Sequence, residues 1–292
     1  MKDTPQSLLE DVKNNLPLLY DVDEDYKVSL LKYSENIIYK VEFGKSSHVV
    51  FRIHRPGYHD IEELEGEIRW MDEIHKDTQV RLPVVYRGRD GGFLQKMRTS
   101  GGETVYCSVI SFLDGSPLGE LKGEALLDGL EKLGEITARL HIQSINRDKS
   151  VKIKRFCWDI NNLFGDNGDG ILGSWRDYEG ITAHDYRILE KCTENIKKEL
   201  NHYGRSNDRY GLIHADLHFY NVISYEGNDQ IIDSGMQQFA FHTGRCHQSK
   251  DHGYTARTDA DGKRDGIKYL LLDVFPSEAV YILTGFFFIR RT

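Results

Sequence analysis

The stretch GLIHADLHFYNVI, residues 211–223, places two histidines, an aspartate and an asparagine between two apolar runs. The sequence continues as VISYEGNDQIID, two short apolar segments about an EGND turn, which predicts a β-hairpin. Asn221 would begin the first strand and Asp233 would end the second. The open ends of a hairpin converge, so these two are expected side by side, with Asp216 in the loop before them. Two carboxylates and an amide oxygen are hard ligands, suited to Mg²⁺ held together with phosphates. A carboxylate not committed to a metal can orient a hydroxyl and accept its proton. A second chemistry is open on the same residues. His214, Asp216 and His218 spell H-x-D-x-H, and alternate residues of a strand share one face. Two imidazoles and a carboxylate could then hold Zn²⁺ or Fe²⁺ for hydrolysis. That reading gives Asn221 and Asp233 no part.

Upstream of this stretch the chain changes character once. YKVSLLKY, IIYKVEF and HVVFRIHR are β-rich runs with short links, which predicts an antiparallel meander. Residues 60–76, DIEELEGEIRWMDEIHK, predict a helix. Asp60 is its N-cap, acidic residues fill its first turn, and Ile61, Leu64, Ile68 and Met71 share a face. A long apolar strand, TVYCSVISFL (104–113), precedes the break DGSP (114–117). Beyond it Leu126, Leu127, Leu130, Leu133, Ile136 and Leu140 recur at helical spacing, as do Leu189, Cys192, Ile196 and Leu200. The plan is α+β: a β-rich lobe over 1–110, a connector at 111–117, and a helical lobe over 118–235 holding one small hairpin.

Composition narrows the setting. With 39% apolar and 29% charged residues, the 292-residue chain can bury a sizeable core. A net charge of −8 speaks against nucleic acid as partner. The polar start, MKDTPQSLLEDVKNN, lacks the apolar region of a signal peptide. The most apolar run, 269–289, is interrupted by Asp273, Pro276 and Glu278, which spoil it as a membrane span. Cys107, Cys157, Cys192 and Cys246 show no CxxC spacing, so neither a zinc site nor a disulfide framework is signalled. A soluble, reducing, cytoplasmic protein without a membrane partner is expected.

HADLHFYN followed by IID resembles the catalytic loop and metal-binding aspartate of the aminoglycoside phosphotransferase-like kinases, the phosphotransferase enzyme family. The pattern H-x-D-x-x-x-x-N, a hairpin, then an aspartate is met at His214, Asp216, Asn221 and Asp233. The resemblance implies a two-lobed protein-kinase-like fold and a Mg²⁺-dependent transfer of the ATP γ-phosphoryl, with GTP an alternative donor. The acceptor would be a hydroxyl of a small molecule or of protein serine or threonine. Asp216 would be the catalytic base, Asn221 and Asp233 the magnesium ligands, His214 a loop-shaping residue, and His218 structural or near the substrate. YSENIIYKVEF with HVVFRIHRPGYHD resembles the nucleotide-covering strands of the homoserine kinase type II and stress-response kinase branch. The resemblance assigns Arg52 to the phosphates, with Glu67 as its helical partner. It assigns the backbone of Ser111, Phe112 and Leu113 to adenine. Ser34, Glu35 and Asn36 occupy the turn over the phosphates, where no GxGxxG occurs. Arginine stands where many kinases carry lysine, a swap that is not neutral for phosphate geometry.

The resemblance ends near residue 235. The chain continues DSGMQQFAFHTGRCHQSKDHGYTARTDADGKRDG, with Ser234 where a large residue is expected and almost no apolar period from 240 to 268. The abrupt change suggests an altered reading frame or a junction in the coding sequence. The residues 236–292 would then be an atypical tail, the helical lobe incomplete, and the chain a nucleotide-binding protein without turnover.

Overall fold

The fold is described from a computed structural model. It describes residues 4–22, 25–34, 36–44, 47–157, 159, 161–162, 174–177, 179–225, 228–232 and 237–241. The chain divides into two compact units. One comprises residues 1–120, 148–155 and 218–234, and the other 121–147, 156–217 and 235–292.

The first unit opens with a helix, α1 (Pro5–Leu19). Thr4 caps it, its hydroxyl accepting from Ser7 N–H while the Ser7 hydroxyl accepts from Thr4 N–H, and Pro5 sits where a missing N–H costs nothing. Leu8, Val12 and Leu16 recur every four residues, and all three are fully buried. They close over one face of an antiparallel sheet whose inward residues include Ile37, Tyr39, Val41, Phe51 and Ile53. Polar ties fix the helix there. The Tyr39 hydroxyl donates to Pro5 O, and Ser100 N–H and Oγ both reach Asp11 Oδ2.

The meander read from the sequence is present as β1 (Tyr26–Tyr33), β2 (Asn36–Phe43) and β3 (Ser47–His54). In β2 burial alternates strictly through Ile37, Tyr39 and Val41, as expected of a strand with one face on a core. After β3 comes α2 (Ile61–Asp77), capped by a reciprocal Asp60–Glu63 box. The strands β4 (Val85–Tyr86), β5 (Gln95–Arg98) and β6 (Thr104–Ser111) complete the sheet, with β3 and β4 both paired to β6 and β5 added along it. On α2 the buried face comprises Leu64, Gly66, Glu67, Ile68, Trp70, Met71 and Ile74. Ile61, expected on that face, lies at the first position of the helix and is exposed instead.

A second, three-stranded sheet also belongs to this unit. The predicted hairpin is β9 (Val222–Tyr225) with β10 (Asn228–Ile231), in antiparallel register from Tyr225↔Asn228 to Val222↔Ile231. The DGSP segment, read as a break, contributes the two-residue strand β7 (Ser116–Pro117), which pairs with β9. Gly115 has φ 146°, and a Cβ there would meet Ser224 O, so the strand can dock only with glycine at its start.

The second unit contains the two helices expected from apolar period, α3 (Glu124–Asn146) and α4 (Ala183–Tyr203). Thr182 and Asp185 form the capping box of α4. Ile136, Leu140, Ile196 and Leu200 are buried, whereas Leu127 is exposed. The strand β8 (Tyr210–Ile213) pairs with β11 (Gln237–Phe241), a strand the sequence pattern did not suggest. The expectations for Glu35, Asp233, Ser234 and Cys246, for the apolar run 269–289 and for most of the tail fall outside the described residues. Among the described residues, no helix is long and apolar enough to cross a membrane.

Candidate active site

Arg52 and Glu67 are the firmest part of the site in the first unit. Arg52 lies in β3, opposite Ile38 of β2 and Ser108 of β6. Glu67 lies two turns into α2. The Arg52 Nη2 donates to Glu67 Oε1 at 2.8 Å, with each side chain 4% exposed. A pair this buried survives only if geometry repays its desolvation, and one lost partner would be costly. Beside it His54 is buried and its Nε2 sits 3.2 Å from Ser108 Oγ. Burial, followed by the charges of Arg52, His59 and Arg155, holds the His54 imidazole well below its ordinary titration range, so it is neutral.

A third charged group, absent from the sequence reading, completes this cluster. Arg155 approaches the other Glu67 oxygen, Oε2, at 3.4 Å, and its Nη1 donates to the Glu63 carbonyl at 2.8 Å. Nothing in the local sequence marks it, because it follows α3 in a segment without secondary structure.

The remaining nucleotide-side candidates are less tightly held. Ser34 is exposed and its N–H donates to Asn36 O, closing the β1–β2 turn, while Asn36 pairs with His54 across β2 and β3. Ser111 ends β6, where its N–H donates to Val84 O and its Oγ accepts from Val84 N–H. That amide is therefore already committed within the sheet. The Lys40 ammonium lies over the Phe112 ring at 5.0 Å from its centroid.

The opening stretch is divided between the units at Leu217–His218. In the second unit His214 is buried at the end of β8, and Asp216 is half-buried. Asp216 N–H donates to His214 O at 2.8 Å, a three-residue turn centred on Ala215 at φ 59°. Ala215 is the sole non-glycine residue in the left-handed region among the described residues. Such strain clusters at functional turns, and no residue type announced it here. In the first unit Asn221 is buried, its N–H donating to His218 O, and Ile232 N–H donates to Asn221 O. The ladder of the hairpin therefore runs to the residue before Asp233. His218 Nδ1 accepts from Tyr220 N–H. Tyr220 covers Gly119, where a Cβ would meet its ring. Among the described residues no three His, Cys, Asp or Glu side chains gather as a metal group, and His214, Asp216 and His218 do not form one.

The sequence model of the phosphotransferase enzyme family matches residues 32–236. The chain belongs to the phosphotransferase enzyme family. The match begins in β1, spans the Arg52–Glu67 pair and the H-x-D-x-x-x-x-N stretch, and stops where the sequence pattern was seen to stop. Solved structures of this family share the two-lobed, protein-kinase-like fold expected above. The chain is similar to the microcompartment-associated aminopropanol kinase at 30% identity and TM-score 0.68, over 79% of this chain and 70% of that one. It is similar to the amicoumacin kinase hAmiN, solved with AMP-PNP, Ca²⁺ and amicoumacin, at 21% identity and TM-score 0.62, over 80% and 65%. Spectinomycin phosphotransferase, solved with ADP and spectinomycin, follows at 16% identity and TM-score 0.51, over 82% and 71%. No curated protein sequence matches. As a member of the family, the chain is a phosphotransferase.

Proposed function

We propose that this phosphotransferase moves the γ-phosphoryl of Mg·ATP to the hydroxyl of a small alcohol. The observation that carries the nucleotide reading is the buried Arg52–Glu67 pair, a guanidinium held at the end of β3 by a helix. Arg52 would pair with phosphate oxygens, the β1–β2 turn at Ser34 and Asn36 would cover them, and Phe112 and Leu113 would offer backbone groups to the adenine edge. Asp216 would orient the acceptor hydroxyl and take its proton. The turn at Ala215 presents this carboxylate, and buried His214 shapes the loop. Asn221 and Asp233 supply an amide oxygen and a carboxylate, a donor set that fits a hard divalent ion. Magnesium, when bound there, would neutralise phosphate charge. His218 would support the loop. Residues 1–110 would form the nucleotide lobe, 111–117 the connector and 118–235 the catalytic lobe.

The 30% identity to an aminopropanol kinase supports a short amino alcohol as the acceptor to try first. Thermal unfolding with Mg·ATP tests the reading, with EDTA and Mg·GTP as parallel arms. Nucleotide at a hundredfold over Kd stabilises by about 2.7 kcal/mol. A magnesium-dependent shift followed by phosphate-ester formation on amino alcohols is the expected result. A cooperative transition that no nucleotide moves would overturn it. A shift without turnover on any alcohol would leave a nucleotide-binding protein.

A further inference from the structure

Asn221 enters its strand from a turn, and that turn is fastened to the end of the connector. Asn221 N–H donates to His218 O at 2.9 Å, which closes residues 218–221 into a β-turn. Inside it, His218 Nδ1 accepts from Tyr220 N–H at 3.1 Å. Downstream of Asn221 the chain is fixed by the hairpin ladder and by β7, which pairs with β9. On the upstream side the turn rests on a short 3₁₀ turn, Leu118–Glu120, rooted by the buried Leu118.

Two contacts make that seat. Gly119 N–H donates to Phe219 O at 3.2 Å. The tip of the Tyr220 ring presses on Gly119, where an added Cβ would stand 2.7 Å from Cζ and 2.9 Å from Cε1 and Cε2. Gly119 does not have a positive φ, so the backbone itself does not demand glycine there. The space left by the missing side chain is what the ring uses. Tyr220 is 60% exposed, so the ring fills no core, and what it covers is the glycine.

We infer that Tyr220 is a positioning residue for the divalent ion: pressed on Gly119, its ring sets the 218–221 turn and so aims the Asn221 amide. This rests on the reading of Asn221 as a metal ligand given above. An amide oxygen is a single neutral donor and contributes only when it points at the ion. Mg²⁺ tolerates little departure from octahedral geometry, so a turn free to shift would lose the ligand. Groups that orient a metal ligand matter nearly as much as the ligand itself. In this role Tyr220 acts through Asn221 and need not touch nucleotide or metal.

The experiment is calorimetric titration of ATP into the full chain, in EDTA and at a series of magnesium concentrations. The quantity read is the magnesium concentration that gives half of the full gain in ATP affinity. Unfolding temperatures are recorded for each apo variant. Tyr220→Ala should raise that concentration roughly tenfold, while ATP affinity in EDTA stays within about twofold of wild type. Tyr220→Phe keeps the ring and should stay within about twofold throughout. Gly119→Ala pushes the ring away and should reproduce the Tyr220→Ala shift. Both substitutions break one contact, so the double variant should shift about tenfold, not about a hundredfold. If Gly119→Ala does not fold, the contrast between Tyr220→Ala and Tyr220→Phe decides. A folded Tyr220→Ala with the magnesium dependence of the wild type would overturn the inference and leave the nucleotide site standing. So would an equal loss of ATP affinity in EDTA and in magnesium, which marks a brace of the whole site, or single effects that multiply in the double variant. A wild type that does not bind ATP, or binds it without regard to magnesium, would overturn the reading proposed above first, and this inference with it.

Discussion

Gly66 of α2 lies against the backbone of Lys154 so closely that a Cβ on the glycine would overlap the Lys154 carbonyl. The contact seats residues 148–155 on the helix that carries Glu67, and it brings Arg155 to the Arg52–Glu67 pair.

Gly66→Ala tests that seating. In an isolated helix alanine gains about 1 kcal/mol over glycine. Here the added methyl must push a backbone carbonyl aside, and overpacking of this kind costs about 1–3 kcal/mol. Urea unfolding should show the variant less stable than the wild type. A stabilised variant would mean that the segment yields freely.

The ion cluster predicts an asymmetry. Arg52→Met leaves Glu67 with Arg155, so its cost should stay near the ordinary 1–2 kcal/mol for a core change. Glu67→Ala removes the carboxylate that both buried guanidiniums contact, and about 3–5 kcal/mol should be lost. Chemical denaturation of the two variants side by side reads the difference directly. Equal losses would deny that Glu67 serves both arginines.

For Asp216→Asn the expected pattern is a split between chemistry and binding. Losing a general base typically costs a factor of about 10²–10⁴ in turnover. Asn keeps the shape of the turn, so the Mg·ATP affinity should hold. Steady-state rates on the acceptor, measured beside calorimetric Kd values, check both halves. A variant that keeps full turnover would remove Asp216 from the proposed mechanism.

Acid stability should carry the mark of His54. Its folded-state titration lies well below the ordinary histidine value of about 6.5, burial first and neighbouring Arg52 next. Above that value neither state binds the proton, and the stability is intact. As pH falls below about 6.5 the unfolded chain gains a proton that the folded one refuses. Stability should therefore drop there with a slope approaching 1.4 kcal/mol per pH unit, roughly the single-proton limit. Unfolding free energies between pH 7 and 5 measure it, and His54→Gln should flatten that part of the curve. An unchanged slope in the variant would assign the acid loss to other groups.

Much of this was legible in the sequence because it is local. Strict alternation in β2, the Asp60 cap of α2 and the EGND turn between β9 and β10 each depend on residues a few positions apart. The pairing of Arg52 with Glu67 was legible only through family resemblance, since α2 carries several glutamates and spacing does not choose among them. Other features left no trace. The positive φ of Ala215 falls on a residue with no preference for it, and β11 lies where the sequence reading placed no element.

The amino-acid sequence by itself determined the meander, the principal helices, the hairpin and the H-x-D-x-x-x-x-N stretch, because hydrophobic period, caps and turn residues act within one or two turns of chain. Only the tertiary structure decided that α1 closes the sheet, that DGSP supplies a strand to the hairpin, and that Arg155 shares Glu67 with Arg52. Those outcomes join residues far apart in sequence. Their energies come from which surfaces and charges lose water together, and no local pattern records that.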